Sequence, residues 1–391
     1  AGRNGFGEAY YWQPPGQPAL MALVYKVFAF GIWQTRMPGL LFGSGTLLVL
    51  YLLAIRLLRS RSAALLSAVI LGLDPKYIES ARSGRMDTQS FFLALLGVVF
   101  VVSVLQNDDN VGDHRREAVL AGVCLGLAGI THPLTIAWVA ALGVIVVTWR
   151  KPRQLRTFIA VAVLSAMPAF LWILSAAVAG DLEMLRTQFI EHGGSRLYAG
   201  GVFKRIVDEV LRYAEEYRFA PGLLALYCGG VAWVLWRRRH FRREGMWLVI
   251  LFMVPALFNA LFMSKKVGFY FLHPVAILAI AAGAMTAELW KAPFISNGER
   301  IAARVFRGAL ILVLVNVLAV GIIGRYAALA YQWRQRDYRP IERALAEIVP
   351  PDSVVWGPPD IWYAVEQAGA SLRIRGVPDP TRHDFLVTKV G

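Results

Sequence analysis

Long apolar runs separated by short polar segments make up most of the chain between residues 34 and 329. A helix needs roughly 17–25 predominantly apolar residues to cross a bilayer, and many of these runs approach or reach that length. The pattern therefore predicts an all-α polytopic membrane protein with about ten transmembrane helices. We expect the spans at residues 34–55, 62–73, 88–105, 118–131, 134–149, 157–179, 219–236, 246–263, 267–289 and 308–329.

The segments that flank these spans have different patterns. Residues 18–33 are apolar and aromatic but short, and Lys26 interrupts them, which favours a helix lying at the membrane surface. Residues 331–391 alternate helical and strand patterns separated by turn residues. The sequence thus predicts a membrane domain over residues 1–330 and a small extramembrane α/β domain over residues 331–391.

Both ends of the chain are expected to be cut from a longer protein. The chain opens without Met, a basic segment or an apolar leader pattern, and it ends on HDFLVTKVG, which has the pattern of a strand. The C-terminal α/β domain is therefore expected to be incomplete.

The composition supports a membrane protein and limits its partners. Hydrophobic residues make up 57% of the chain and charged residues 17%, whereas soluble domains carry about 25% charged residues. Much of the net charge of +15 lies in short loops between apolar runs, such as RRRHFRR. Cytoplasmic loops are enriched in Lys and Arg, so this charge indicates membrane orientation, and no nucleic-acid partner is expected.

The basic residues also predict which loops lie outside the membrane. With the N-terminus outside, the loops rich in Lys and Arg fall on the inner side, as the positive-inside rule requires. The outer segments are then residues 1–33, 74–87 and 180–218, together with the C-terminal tail. We expect a multi-pass protein of the plasma (inner) membrane that exposes these segments on the extracytoplasmic side.

The clearest candidate chemistry lies in PKYIESARSGRMDTQSFF, residues 75–92. This segment places Asp87 at the start of an apolar span, with Arg82 and Arg85 shortly before it. A carboxylate beside cations at the boundary of the membrane indicates a functional site. The alternative is a solvated loop whose acid stabilises the N-terminus of a helix, and the sequence leaves both interpretations open.

Two histidines lie on the predicted outer side. His192 stands in FIEHGGSRLY, four residues before Arg196, and is a candidate ligand or acid–base residue. A surface histidine in a polar loop is the alternative. His132, in GITHPL, precedes a proline at the edge of a span, and we interpret it as a cap or turn residue.

A pair of lysines stands at the predicted outer end of a late span. Lys265 and Lys266 lie in FMSKKVGFYFLHP, on the side where positive charge is uncommon. A phosphate partner would explain them, and snorkelling side chains are the alternative. Tyr270, in the same segment, is a candidate for an interfacial aromatic belt.

These motifs occur in an order that is similar to one protein family. They are the aromatic Pro-Pro segment YYWQPPGQ, the span entry Arg36-Met37-Pro38, the loop SARSGRMDTQSFF, the outer segment FIEHGGSRLY, the span entry SKKVGFYFLHP and the tail start RDYRPI. The chain resembles the GT-C glycosyltransferases of the dolichyl-phosphate-mannose–protein mannosyltransferase type. Among these it is most similar to the bacterial branch of the lipid A aminoarabinose transferase. The similarity covers nearly the whole chain, although each motif is weak by itself.

The resemblance implies roles for the candidate residues. It gives the role of base to an acidic residue in a first outer loop upstream of residue 1, with Asp87 assisting. It assigns His192 to a metal ion or to the lipid phosphate. The residues implied to contact the lipid phosphate or sugar are Arg82, Arg85, Lys265, Lys266, Arg196, Tyr270 and Gln13, the last of which stands where close relatives have a lysine. No cofactor is certain, and a divalent metal ion stays open.

The expected function is therefore sugar transfer at the outer face of the membrane. The expected partners are a polyprenyl-phosphate-linked sugar donor, a lipid, glycan or protein acceptor, and membrane lipids. The alternatives are a transporter or flippase of lipid-linked substrates and a non-catalytic subunit of the same fold. A transporter would need functional charges deep within the spans, whereas the candidates gather on one face, and no P-loop, GxGxxG, CxxC or HExxH motif stands in a suitable context.

Overall fold

The computed structural model describes residues 11, 13–106, 114–149, 152–194, 201–237, 242–263, 268–291, 297–332, 337, 339–356, 362–373 and 385–386. Most of them belong to helices: α1 (Gly16–Phe28), α2 (Ile32–Leu58), α3 (Arg61–Gly72), α4 (Pro75–Arg82), α5 (Met86–Gln106), α6 (His114–Gly129), α7 (Ile136–Trp149), α8 (Pro152–Val178), α9 (Leu182–Gly194), α10 (Val202–Glu216), α11 (Pro221–Arg237), α12 (Arg242–Phe262), α13 (Leu272–Lys291), α14 (Asn297–Asn316), α15 (Arg325–Tyr331), α16 (Arg339–Ile348) and α17 (Trp362–Gln367). The other elements are two 3₁₀ turns (Pro133–Thr135 and Gly268–Phe271), a π-helical segment (Val317–Gly324) and the strands β1 (Val354–Trp356), β2 (Ser371–Arg373) and β3 (Phe385–Leu386).

Five of the described helices are long and apolar enough to cross a membrane, judged by length and composition: α2, α5, α8, α12 and α13. Shorter apolar helices of 10–17 residues coincide with four more of the predicted spans, at Arg61–Gly72, Pro133–Thr148, Pro221–Trp236 and Arg307–Ala319. The chain thus has the helices of an integral membrane protein. Five of the ten predicted spans thus coincide with helices that are long and apolar enough to cross a membrane, and the number of ten spans stays a prediction.

Close packing around α13 holds the membrane helices together. A Cβ atom on Gly283 of α13 would lie 2.3 Å from the Ser67 hydroxyl oxygen of α3, and one on Gly230 of α11 would lie 2.5 Å from the backbone nitrogen of Ala282. Small residues allow such close approach between helices in membranes. Helix α5 is also largely buried and packs against α2 and α6. The N-terminal ends of α5 and α13 carry the site described below.

The segment 74–87, predicted as an outer segment between two spans, is mostly helical. Asp74 caps helix α4, because its carboxylate oxygen Oδ1 accepts hydrogen bonds from the backbone N–H groups of Lys76 (2.7 Å) and Tyr77 (3.0 Å). A turn then leads to α5 through Gly84, whose φ of +68° favours glycine. The polar residues of a short capped helix look like a loop in a hydropathy pattern.

Contacts between side chains connect the three predicted outer segments. The Tyr11 hydroxyl donates a hydrogen bond to Oδ2 of Asp181 (2.7 Å), and its backbone N–H donates one to Oε1 of Gln188 in α9 (2.6 Å). An ion pair between Lys76 of α4 and Glu216 of α10 connects the second segment to the third. The third segment, predicted as an outer loop, thus contains the helices α9 and α10.

The described part of the C-terminal tail contains helices and parallel strands. Strand β1 pairs in parallel with β2 on one side and β3 on the other. A separate buried apolar cluster lies among these elements and consists of Leu345, Val349, Val355, Ala364, Val365 and Ala370. The division of the chain into domains at residue 330 stays a prediction.

Candidate active site

Asp87 lies in the first turn of α5, and its side chain is only 1% exposed. Its Oδ2 accepts a hydrogen bond from Nε of Arg85 at 2.8 Å. Its Oδ1 has no hydrogen-bond partner within the described part of the chain. Burial rules out the solvated loop that the sequence left open, although the position near a helix N-terminus does suit a carboxylate. A buried carboxylate with one unengaged oxygen is the first element of the site.

His132 faces that unengaged oxygen. Its Nε2 lies 3.7 Å from Oδ1 of Asp87, and its Nδ1 accepts a hydrogen bond from the backbone N–H of Leu134 (3.1 Å). A ring nitrogen that accepts is unprotonated, so Nε2 carries the proton and presents it to Asp87. His132 caps the 3₁₀ turn at Pro133–Thr135, as the sequence predicted. The sequence interpretation missed the contact with Asp87.

Aromatic and polar residues at the start of α13 pack beside His132. The Tyr270 ring is buried and packs edge-on against the His132 ring, with 5.6 Å between their centroids. Its carbonyl oxygen accepts a hydrogen bond from Asn259 (3.0 Å). The buried His273, two residues after the end of the 3₁₀ turn, accepts a hydrogen bond from the Trp138 indole (2.6 Å). Tyr270 thus lies inside the protein, and the belt interpretation is wrong for it.

The Pro-Pro segment also reaches the start of α5. The Gln13 amide nitrogen donates to Oε1 of Gln17 (3.0 Å) and contacts the sulfur of Met86 (3.3 Å). Gln17 in turn donates to the carbonyl oxygen of Gly84 (2.7 Å). Gln13 is therefore placed beside the residue that precedes Asp87. Its role in substrate binding stays a prediction.

The other predicted site residues are located less completely. Arg82 is exposed at the end of α4. Arg85 is 39% exposed and uses its Nε on Asp87. His192 lies in α9, but its side chain is outside the described residues, as are Arg196, Lys265 and Lys266 entirely. Their predicted roles stay predictions.

A second buried carboxylate, Asp74, was not singled out from the sequence. Besides capping α4, it accepts hydrogen bonds through Oδ2 from the hydroxyl groups of Tyr217 (2.7 Å) and Tyr227 (2.8 Å). Burial raises the pKa of the Asp74 carboxyl above its ordinary value, and the hydrogen bonds from Tyr217, Tyr77, Tyr227 and Lys76 oppose that rise. All four of these hydrogen bonds hold structural elements together. Asp74 therefore connects α4 to Tyr217 at the end of α10 and to Tyr227 within α11, and we assign it a structural role.

The described residues do not gather a metal site. No group of three or more His, Cys, Asp or Glu side chains among them is arranged to hold a metal ion. The Asp87 carboxylate has a histidine and an arginine as its neighbours, which is a hydrogen-bonding environment. The role of His192 as a metal ligand stays a prediction, because its side chain lies outside the described residues.

The arrangement around Asp87 suits chemistry on a hydroxyl group. A carboxylate oxygen without a partner accepts a hydrogen bond or a proton from a bound hydroxyl. Arg85 neutralises the Asp87 carboxylate from the more exposed side, and the His132 ring lies beside its other oxygen on the buried side. The site thus combines a fixed acceptor oxygen with adjacent positive charge.

Comparison with known proteins defines the class of this fold. Residues 12–175 match the family described as dolichyl-phosphate-mannose-protein mannosyltransferase. The structure is similar to that of ArnT from Cupriavidus metallidurans bound to undecaprenyl phosphate, with a TM-score of 0.67 and 18% identity over 96% of this chain and 80% of that chain. The apo state of ArnT gives a TM-score of 0.68, also at 18% identity, over 96% of this chain and 79% of that one.

The structure is also similar, at a lower TM-score, to that of an archaeal oligosaccharyltransferase. AglB from Archaeoglobus fulgidus, in complex with an inhibitory peptide and a dolichol-phosphate, gives a TM-score of 0.55 and 12% identity over 92% of this chain and 56% of that chain. No curated protein matches by sequence. The fold is thus similar to that of ArnT and of AglB, and residues 12–175 resemble the dolichyl-phosphate-mannose-protein mannosyltransferase family.

Proposed function

We propose that this protein is a membrane glycosyltransferase that moves a sugar from a polyprenyl-phosphate donor to an acceptor hydroxyl on the outer face. The observation that carries the proposal is Asp87, a buried carboxylate with an unengaged oxygen between His132 and Arg85. The GT-C fold and the match of residues 12–175 support it. The described charged groups of this site lie at one end of α5, which favours an enzyme over a transporter.

The reaction forms a bond between the acceptor oxygen and the anomeric carbon of the sugar. The bond between that carbon and the phosphate oxygen breaks, and its electron pair leaves with the lipid phosphate. Asp87 accepts a hydrogen bond from the acceptor hydroxyl and takes up its proton as the new bond forms. Arg85, together with Lys265, Lys266 and Arg196, is proposed to stabilise the departing phosphate.

A comparison of donors tests this function. Full-length protein in lipid nanodiscs would be given labelled sugars linked either to polyprenyl phosphate or to a nucleotide, together with membrane lipid and protein acceptors. The proposal predicts labelled product only from the lipid-phosphate donors, because the apolar helices offer a surface for a polyprenyl chain and the chain has no nucleotide motif. Product from nucleotide sugars alone would contradict the proposed donor, and no product with any donor would favour the transporter or the non-catalytic subunit.

His132 is predicted to position Asp87. Replacing His132 with Leu removes the Nε2–H group that faces Oδ1 of Asp87, and we expect kcat to fall about tenfold, which corresponds to about 1.4 kcal/mol. His132→Gln keeps an amide N–H donor and should retain more of the rate. Steady-state kinetics would separate kcat from KM, and a thermal scan would compare folding. Equal losses in both variants, or an unchanged kcat, would remove His132 from this role.

A further inference from the structure

Helix α10 buries part of its charged face and exposes its apolar face. Glu209 and Arg212 are buried, whereas Phe203, Val210 and Leu211 are exposed, Phe203 by 82%. Residues 209 and 212 lie on one side of the helix, because side chains three apart share a face, and the exposed apolar residues lie on the other. A helix of this kind suits a membrane interface, where lipid covers the apolar face. Glu209 and Arg212 then point into the protein.

Arg212 has more hydrogen-bond donors than it uses. Its Nη2 donates to Oε1 of Glu209 at 2.6 Å, and its guanidinium lies 3.9 Å from the centre of the Phe271 ring. Its Nε and Nη1 are buried and have no partner within the described part of the chain. Buried donors without partners destabilise a protein, and each one needs an explanation.

The hydroxyl of the next residue shares this property. The Tyr213 hydroxyl is buried without a partner among the described residues, and its ring packs edge-on against Phe271 with 4.5 Å between centroids. Burial raises the pKa of Tyr213, so its hydroxyl stays protonated and is able to donate. Arg212 and Tyr213 thus both pack against Phe271, and both have hydrogen-bond donors that no described residue accepts.

These donors lie close to the site around Asp87 and are held there. Phe271 directly follows Tyr270, whose ring contacts His132 beside Asp87. At the C-terminal end of α10, the Lys76–Glu216 ion pair and the hydrogen bond from Tyr217 to Asp74 attach the helix to α4. Arg212 is therefore connected to His132 through Phe271 and the adjacent Tyr270.

We propose that Arg212, together with the Tyr213 hydroxyl, binds the phosphate group of a lipid. A guanidinium is weakly hydrated and forms its strongest hydrogen bonds with oxyanions, and the apolar face of α10 places it at the level of lipid headgroups. The inference rests on the proposed function insofar as the lipid is the polyprenyl-phosphate donor. An ordinary phospholipid would offer the same chemistry, and the experiment separates the two.

The test measures binding by full-length protein in nanodiscs of neutral lipid, with polyprenyl phosphate, phosphatidylglycerol and inorganic phosphate as separate probes. Arg212→Gln should weaken binding of polyprenyl phosphate at least about tenfold, because charge-assisted hydrogen bonds are lost. Glu209→Gln should strengthen it, since the acid that competes for Arg212 loses its charge. Arg186→Gln is the matched control, because Arg186 is an exposed cation on α9 that pairs with Glu183, and it should leave binding unchanged.

The outcomes test the phosphate site at Arg212 separately from the proposed function. Equal affinity of wild type and Arg212→Gln for polyprenyl phosphate would overturn the inference and leave the proposed function standing. Binding of phosphatidylglycerol that depends on Arg212, with no binding of polyprenyl phosphate, would keep the phosphate site and contradict the proposed donor. If Arg212→Gln does not fold, the Glu209→Gln variant provides the test. Weaker or unchanged binding of polyprenyl phosphate in Glu209→Gln would then contradict the inference.

Discussion

Asp87→Asn is expected to lower the rate of sugar transfer about 100-fold or more, while the protein stays folded. The amide keeps the size of the carboxylate, but it cannot assist removal of a proton from the acceptor hydroxyl. It also leaves Arg85 without the negative charge that it contacts at 2.8 Å. Acid–base groups typically contribute such factors, and 100-fold corresponds to about 2.7 kcal/mol of barrier. The measurement is kcat/KM with a polyprenyl-phosphate sugar.

Glu79→Gln is the matched control for this variant. It removes a carboxylate from the same segment, but Glu79 is 44% exposed and forms an ion pair with Lys76 at 3.6 Å. Its activity should stay within about twofold of wild type. Full activity in Asp87→Asn would return Asp87 to a structural role at the N-terminus of α5.

The second large effect is expected on stability. Asp74→Ala removes the cap of α4 and leaves the hydroxyl groups of Tyr217 and Tyr227 without their acceptor. A lost cap costs about 1 kcal/mol, and each buried donor left unpaired costs about 1–3 kcal/mol. We therefore expect the free energy of unfolding to fall by at least about 3 kcal/mol. Denaturant unfolding in detergent, followed by tryptophan fluorescence, would measure the change.

Asp74→Asn separates the two roles of this carboxyl group. Because burial raises the pKa of Asp74, its surroundings disfavour the charge, and a neutral amide of the same shape should be tolerated much better than alanine. The Asn oxygen is able to keep the two backbone hydrogen bonds that cap α4. An equal loss of stability in both variants would show that the second carboxylate oxygen, which accepts from Tyr217 and Tyr227 and which Asn lacks, holds α4 to α10 and α11. Transfer activity should follow the folded fraction in both.

The apolar pattern predicts the helices well where a run is long and continuous. The span expected at residues 88–105 is α5, Met86–Gln106, and the span expected at 157–179 lies within α8, Pro152–Val178, apart from its last residue. The pattern fails where polar residues build a helix, as in α4 and α10. Both helices are held by contacts with distant segments, such as Tyr217 with Asp74, and hydropathy carries no information about such contacts.

The site was predicted in part. Asp87 and Arg85 are close in sequence, so their pairing was accessible from the motif alone. His132 was recognised only as a cap, because its approach to Asp87 depends on the packing of α5 beside the 3₁₀ turn before α7. Arg212 lies in a segment that looked like an outer loop, and only the reversed burial of α10 draws attention to it. Orientation in the membrane stays a prediction from the basic loops.

Photocrosslinking with a lipid-linked donor tests the central claim most directly, namely that the donor binds beside Asp87. A polyprenyl-phosphate sugar with a diazirine in its first isoprene unit would be bound to full-length protein, irradiated, and mapped by mass spectrometry. If the donor binds beside Asp87, labelled peptides should come from residues 75–92 or 268–275, and unlabelled polyprenyl phosphate should compete for them. Labels confined to the opposite ends of α5 and α13, or labels that no competitor reduces, would contradict it.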